Sequence, residues 1–442
     1  MLFRSKKLKG EGVWNVRFHR ELHMTDDAWR FRRREWLIDR GCSQEGSEFL
    51  APPAEWYQSR PEEFVPGVRY IVPEGAKYRV TAEKPLDDEK KKGSRGQRLE
   101  AVIGFVLRSR AHDEHEMPIV PAARYVPLYE GRMVHQFDHA AKAYVSGEGR
   151  GAKWDDLASD KKRLVPHYYL MSESAYALRV GFCLVTGQTN ERSMLSSLLP
   201  PMMPSGHSLA SGLVDSGAET TSGALVALLN SFVVDFTLRQ KISTNMTLNS
   251  VETCPIVRPP ISSDSGIRLA AFVAGLVSIT PEIQLAEPVI DLRERARLRA
   301  EIDATVAGLY DLSPVEFGYI LTTFPLLDRD QPPLPDDFLV RWNKQGRPKL
   351  EPRSYVTRDT ALLAYLRRRG IAPPDDLAVW YRDEVGVNMI DDEFCPYRMG
   401  SIRNLEQRVA EARRRGAIAY VPSNAKKWDP DGPYQPLGGS TG

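Results

Sequence analysis

The segment Leu198–Ser205 carries Pro200, Pro201 and Pro204, and neither a strand nor a helix continues through prolines placed so closely. A chain built this way has to change structure there, and its apolar pattern does change. Before the break, short apolar runs alternate with polar residues: Val68 to Val72, Tyr78 to Thr81, Leu99 to Leu107 and Tyr125 to Tyr129. A period of two sends successive side chains to opposite faces, so residues 51–205 are expected to form a mostly β domain. The charged, glycine-bearing stretch from Pro85 to Gln97 reads as a hairpin tip or loop. After the break the period becomes helical. Leu225, Leu228, Leu229, Phe232, Val233 and Phe236 predict one buried helix over Thr220–Lys241. Gly266 to Val277 and Leu292 to Leu309 continue the pattern. Ser313 is placed to cap a further helix through Leu321, ended by Pro325, so residues 206–327 read as a helical bundle.

With 442 residues the chain exceeds one ordinary core and is expected to divide. Residues 1–50 form an N-terminal segment, with a strand over Val13–Phe18 and a helix opened by Thr25 or Asp26 and stopped by Gly41. Residues 328–350, rich in Pro, Asp and Arg, read as a linker. Beyond it, residues 351–442 predict a small helical domain, with helices at Thr357–Arg369, Pro374–Glu384 and Ile402–Arg415. A short strand over Ala417–Val421 and a Gly-, Pro- and Ser-rich tail follow. The fold class is α+β.

Hydrophobic residues at 42% and charged residues at 27% are the proportions of a folded globular chain. No apolar stretch reaches the length of a membrane helix; the best, Gly223 to Phe236, carries Asn230 and Asp235. The basic first ten residues have no signal-type apolar segment behind them, so a cytoplasmic location without membrane contact is expected. The four cysteines, Cys42, Cys183, Cys254 and Cys395, show no C-x-x-C spacing and are expected to be reduced and structural. The net charge of +2 is modest, yet basic residues cluster: Arg30 with Arg32 to Arg34, Lys90 to Lys92 with Arg95 and Arg98, Arg293 to Arg299 at alternate positions, Arg367 to Arg369, and Arg413 to Arg415. Solvated faces explain such runs as readily as nucleic acid does.

Two segments concentrate chemistry. His112 to Glu116 offers five potential metal or proton ligands, which a polar turn also contains. The run from Leu128 to His139 has no core pattern. His135 and His139 would share a helix face, as zinc ligands do, but Gln136 stands where the H-E-x-x-H glutamate belongs, so the metalloprotease reading fails. Basic, polar and aromatic residues interleaved in this way suit phosphates and splayed bases.

Several segments together resemble the carboxyl-terminal half of large adenine-specific DNA methyltransferases of the type IIG restriction, BREX and DISARM defence systems. They are Trp14 to Phe18 with Arg20 to Asp26, and P-L-Y-E-G-R-M-V-H-Q-F-D-H over Pro127–His139. Arg179 to Pro201 also matches, with Thr189, Glu191 and Arg192, although Cys183 and Leu184 stand where an Arg-Asp pair is commoner. The stretch from Leu228 to Lys241, followed by Leu248, Asn249 and Pro255, is similar, and so is Arg299 to Pro325. The resemblance spans residues 14–325.

That resemblance implies a target-recognition module that grips double-stranded DNA, reads base edges and presents an adenine to a methyltransferase catalytic subunit or domain. Other defence-system proteins are possible partners. The chain itself lacks the glycine-rich turn for the methyl donor, an Asn-Pro-Pro-aromatic loop and a phosphate-binding P-loop; the Pro-Pro pairs at 52, 200, 259, 332 and 373 follow neither Asn nor Asp. No cofactor is therefore expected here, and S-adenosylmethionine is expected on the catalytic partner. The candidate DNA-binding residues are Arg132, His135, Gln136, Arg192, Arg239, Gln240, Lys241 and Asn249, because Arg reads guanine and Asn or Gln reads adenine through paired hydrogen bonds. Glu130 and Asp138 would repel phosphate unless a neighbouring Arg paired with them. A free-standing specificity subunit and a piece of a split enzyme fit equally. Two other classes compete: a non-catalytic, DNA-binding scaffold of a defence complex, and a metal-dependent hydrolase using His112, His115, His135 and His139.

Overall fold

The computed structural model describes residues 14–52, 68–74, 77–82, 97–101, 105–109, 123–171, 177–187, 190–215, 218–242, 245–324, 338–342, 348–352, 356–374, 377–387 and 418–419. Antiparallel sheets and helices are both present, as an α+β chain requires.

Residues 14–18 are extended, with Trp14, Val16 and Phe18 buried and Asn15 and Arg17 exposed. The expected N-terminal helix is broken up. Ala28–Arg30 is a 3-10 turn, Phe31–Arg32 is strand β1, and only Arg34–Asp39 (α1) is α-helical, closed by Gly41 at φ 75°. The cause lies far along the chain: β1 pairs with residues 169–170, and a ladder partner outweighs local helix propensity.

Strands β2 (Ser43–Glu45) and β3 (Glu48–Leu50) form a hairpin through Gly46 at φ 60°. Two further hairpins follow, β4 (Val68–Glu74) with β5 (Lys77–Ala82), and β6 (Gln97–Ala101) with β7 (Phe105–Ser109). Strand β8 (Arg124–Pro127) precedes the hairpin of β9 (Lys142–Ser146) and β10 (Lys153–Asp156), then comes β11 (Tyr169–Met171). One sheet has the order β1-β11-β8-β3-β2. A second sets β12 (Arg179–Cys183) between β13 (Ser196–Leu199) and β14 (Leu209–Gly212). A Cβ at Gly181 would lie 2.6 Å from a Leu199 methyl, so the register of β12 on β13 depends on glycine there. The proline segment makes the turn from β13 to β14, and an expected domain boundary at Ser205 therefore falls inside this sheet.

The helix expected over Thr220–Lys241 is two helices, α2 (Glu219–Leu229) and α3 (Phe232–Arg239), bent by 58°. Asn230 makes the break by pairing like a strand residue: its Oδ1 accepts from Ser196 N at 3.0 Å and its Nδ2 donates to Ser196 O at 2.8 Å. Ser231 then caps α3, and Asp303 accepts the Phe232 N–H at 2.8 Å. Helices α4 (Leu248–Glu252), α5 (Asp264–Val277), α6 (Leu292–Leu309) and α7 (Pro314–Thr322) follow, each opened by a Thr, Ser or Asp cap; Ser313 and Glu316 form a capping box on α7.

Residues 338–352, expected to be linker, contain the antiparallel strands β15 (Phe338–Trp342) and β16 (Pro348–Pro352). Helix α8 (Val356–Arg368) and helix α9 (Leu377–Trp380), which runs into a π-helical turn over Tyr381–Val385, do not make a core of their own. Leu362, Tyr365, Leu366 and Tyr381 join the cluster that holds Trp14, Phe182, Leu228 and Phe317, and Phe317 packs edge-on against Tyr365 at 5.2 Å. Strand β17 (Ile418–Ala419) lies parallel to β16; the expected helix over Ile402–Arg415 lies outside the described residues. Cys42, Cys183 and Cys254 are buried free thiols, and burial pushes Cys183 up to about 11. Among the described residues no single helix is long and apolar enough to cross a membrane.

Candidate nucleic-acid interface

The run after β8 is not a helix. Gly131–Met133 is a 3-10 turn, and His135 and Asp138 close a tight turn in which Phe137 adopts φ 58°. His135 and His139 consequently point apart. His135 is exposed, whereas His139 is fully buried with Nε2 2.8 Å from Thr280 Oγ1. Burial lowers the His139 pKa to about 4, so the ring is neutral. Among the described residues no group of three or more His, Cys, Asp or Glu could hold a metal ion, and His112 and His115 lie outside them.

The turn is pinned where backbones meet. Gly131 N donates to Ser208 Oγ at 2.9 Å, and a Cβ at Gly131 would sit 2.7 Å from Ser208 O. Tyr129 pairs with Ser205, and Tyr129 N donates to Pro204 O at 2.9 Å. On this fixed base Arg132 is exposed, with one guanidinium nitrogen bonded to Ala152 O at 3.0 Å. Other donors of its fork remain for a ligand. The two carboxylates beside it have partners, though not arginines: Asp138 meets Lys162 at 2.5 Å, and Glu130 lies 3.5 Å from His167 Nδ1.

Three of the eight candidates face inward. Gln136 is 9% exposed and donates to Asn230 O at 3.1 Å. Arg192 donates to Asp235 at 3.0 Å and to Asn230 O, with its guanidinium 3.9 Å over the Phe232 ring. Arg239 donates to the carbonyls of Asn190 and Glu191 at 2.5 and 2.6 Å and stacks 4.4 Å over Phe324. Burial, opposed by Asp235, lowers its pKa. Asp235, fully buried, also accepts from the Ser193 and Met194 amides at 3.0 and 3.3 Å. These side chains lash residues 190–194 to α3, and forks consumed by carbonyls and a carboxylate present nothing to a base edge.

The other three are exposed around the end of α3 and α4. Lys241 Nζ donates to Thr253 O at 2.9 Å, and Thr253 Oγ1 donates to Asn249 O at 2.6 Å, so Lys241 and Asn249 share one anchor; Gln240 is the exposed C-cap of α3. Backbone bonds link both exposed groups to one frame: Leu184 N donates to Ser208 O, beside Gly131, and Met246 N donates to Leu184 O, just before α4.

Sequence reasoning missed Asn230, Asp235 and Asp303, the organisers of this frame. The available signal was a pair of polar residues and a carboxylate inside an otherwise apolar helical run. No protein-family model and no curated protein matches the chain.

Proposed function

We propose that this chain is the DNA-target-recognition module of an adenine-specific DNA methyltransferase in a bacterial restriction-modification or phage-defence system. It acts in the cytoplasm with a catalytic subunit or domain that carries S-adenosylmethionine. The mostly β region and the helices that follow it form the recognition body, and helices α8 and α9 pack into the same apolar core. The observation that carries this reading is the turn 131–135. It lies within Pro127–His139, the most distinctive segment of the resemblance, and it holds Arg132 and His135 outward on a base fixed by close backbone contact, while Gln136, Phe137 and His139 are buried. A rigid turn presenting a guanidinium and an imidazole is suited to phosphate and base-edge contacts. Lys241, Gln240 and Asn249 add cationic and amide donors on the same frame. In the bound state the module grips the duplex while the partner flips the adenine and methylates its exocyclic amine.

The test is retention of random duplexes by the purified chain at near-physiological salt, followed by sequencing. Enrichment of a short adenine-containing motif is expected. Retention without any motif would replace sequence reading by a scaffold role, because counterion release alone gives salt-dependent, sequence-blind binding.

A further inference from the structure

Among the described residues, the basic runs at 30–34, 293–299 and 367–369 have members already engaged. Arg33 pairs with Glu148, Arg34 bonds Gln44 at 3.1 Å, Arg295 bonds Leu276 O and Val289 O at 2.9 Å each, Arg297 pairs with Glu294, and Arg367 pairs with Glu301. A different basic edge is not, and it forms no run in the sequence. Over residues 14–19 alternation buries Trp14, Val16 and Phe18 and puts Arg17 and His19 outside; the alternation then lapses, with Arg20 and His23 exposed and Leu22 buried. The side chains of Arg17, His19 and Arg20 have no hydrogen bond or ion pair among the described residues.

The segment is held firmly. Trp14 Nε1 donates to Val257 O at 3.2 Å, Phe18 N donates to Glu252 Oε1 at 3.3 Å, and His19 and Ser211 exchange two backbone bonds of 3.0 Å. Its acidic member is withdrawn: Glu21 is buried against Arg179 at 2.9 Å and accepts from Ser205 N. The edge is also continuous with the turn described above. Leu22 pairs with Gly206 on one side of the loop 205–208, and Tyr129 pairs with Ser205 on the other. Between them His207 lies 5.8 Å from the His23 ring. Burial first, then the positive fields of His23 and Arg20, lower the pKa of His207, with Glu130 opposing. Asp26, 3.7 Å from His23, bounds the edge at its far end.

We infer that the edge Arg17–His19–Arg20–His23, continued across His207 to Arg132, seats the phosphate backbone of duplex DNA. This rests on the recognition reading and extends it by naming where one strand's phosphates run. The Arg17 and Arg20 guanidinium groups, unpartnered among the described residues and fixed on a firmly held segment, match phosphates in charge and need no internal bond broken to bind. Such contacts position the protein without reading sequence.

The experiment measures the salt dependence of binding to a short random duplex for the wild-type chain, Arg17→Gln/Arg20→Gln, Arg17→Lys/Arg20→Lys and Arg132→Gln. Each lost phosphate contact reduces the slope of log K against log salt by about 0.9, so the double Gln variant should be shallower by about 2 and bind about tenfold or more weakly near physiological salt. The Lys variant should keep most of the slope, and Tm should be unchanged because the replaced side chains are exposed. A double Gln variant with the wild-type slope would overturn the inference. If Arg132→Gln still weakened binding in that case, the recognition reading would stand. A wild-type chain that retains no duplex at any salt would sink both.

Discussion

At the residue scale, the decisive fact is which polar side chains are spent inside the molecule. Arg192 and Arg132 are indistinguishable as letters, yet one lies 5% exposed on Asp235 and the other is exposed on a turn. A sequence shows residue type and spacing but not direction where no period governs the run, and the irregular segments 128–139 and 190–194 have none. Asp235→Asn should therefore be among the most damaging single changes. It leaves two buried guanidinium groups without their counter-charge, at a cost of about 3–5 kcal/mol read from the chemical unfolding midpoint. pH acts through two buried groups of opposite sign. His139 is lowered to about 4, so its contribution is present above pH 6.5 and is lost as pH falls through 4. Asp303 is raised to about 6, chiefly by burial, so its contribution is present below pH 3.8 and lost as pH rises through 6. Between pH 4 and 6, His139→Gln should remove a loss of stability on acidification and Asp303→Asn should make that loss steeper. Unfolding midpoints across this window, with identical slopes for both variants and wild type, would contradict these assignments.

At the scale of elements, helix periods were legible wherever local sequence also supplied the cap. Ser313 with Glu316, and Asp291 ahead of α6, place their helices where the pattern puts them. The misreadings have distant causes. The run Thr220–Lys241 keeps helical spacing straight through its break, because Asn230 turns aside to serve Ser196 and Asp303 receives the freed Phe232 amide. The helix expected before Gly41 lost its first half to a ladder with β11. Ser231→Ala removes the cap of α3 and the hydroxyl's bond to Leu228 O, which still accepts the Ser231 amide, and should cost about 1 kcal/mol. Asn230→Ala takes the partner of the buried Ser196 amide, while Ser196 O keeps the Phe137 amide at 2.9 Å, and should cost more, at about 1–3 kcal/mol for the orphaned group. Equal effects of the two substitutions on Tm would mean that the break is set by the cap alone.

At the scale of the whole molecule, the proline segment expected to divide the chain is the turn from β13 to β14, and residues on both sides of it share one core. The sheet of β12, β13 and β14 lies against α2, and one apolar cluster runs from Trp14 to Tyr381. The candidate interface was legible in part. Arg132, His135, Gln240, Lys241 and Asn249 are exposed as a contact role needs, Gln136, Arg192 and Arg239 belong to the frame, and the Arg17 edge escaped notice because its cations are spaced between buried residues and form no run. Removing residues through Leu22 should be ruinous despite their terminal position. Trp14, Val16, Phe18 and Leu22 are each worth about 1.5–3 kcal/mol of burial, together comparable to the whole stability of a domain. The truncated chain should aggregate or lack a cooperative melt, and a soluble product with wild-type Tm would refute this.

In the proposal, DNA meets an exposed edge on a rigid frame and not the buried Arg192 and Arg239. Amide hydrogen exchange with and without an enriched duplex tests it directly. The account predicts new protection over residues 17–23, 131–135 and 205–208, with little change over 190–194 and 235–239; new protection confined to the latter two stretches would contradict it.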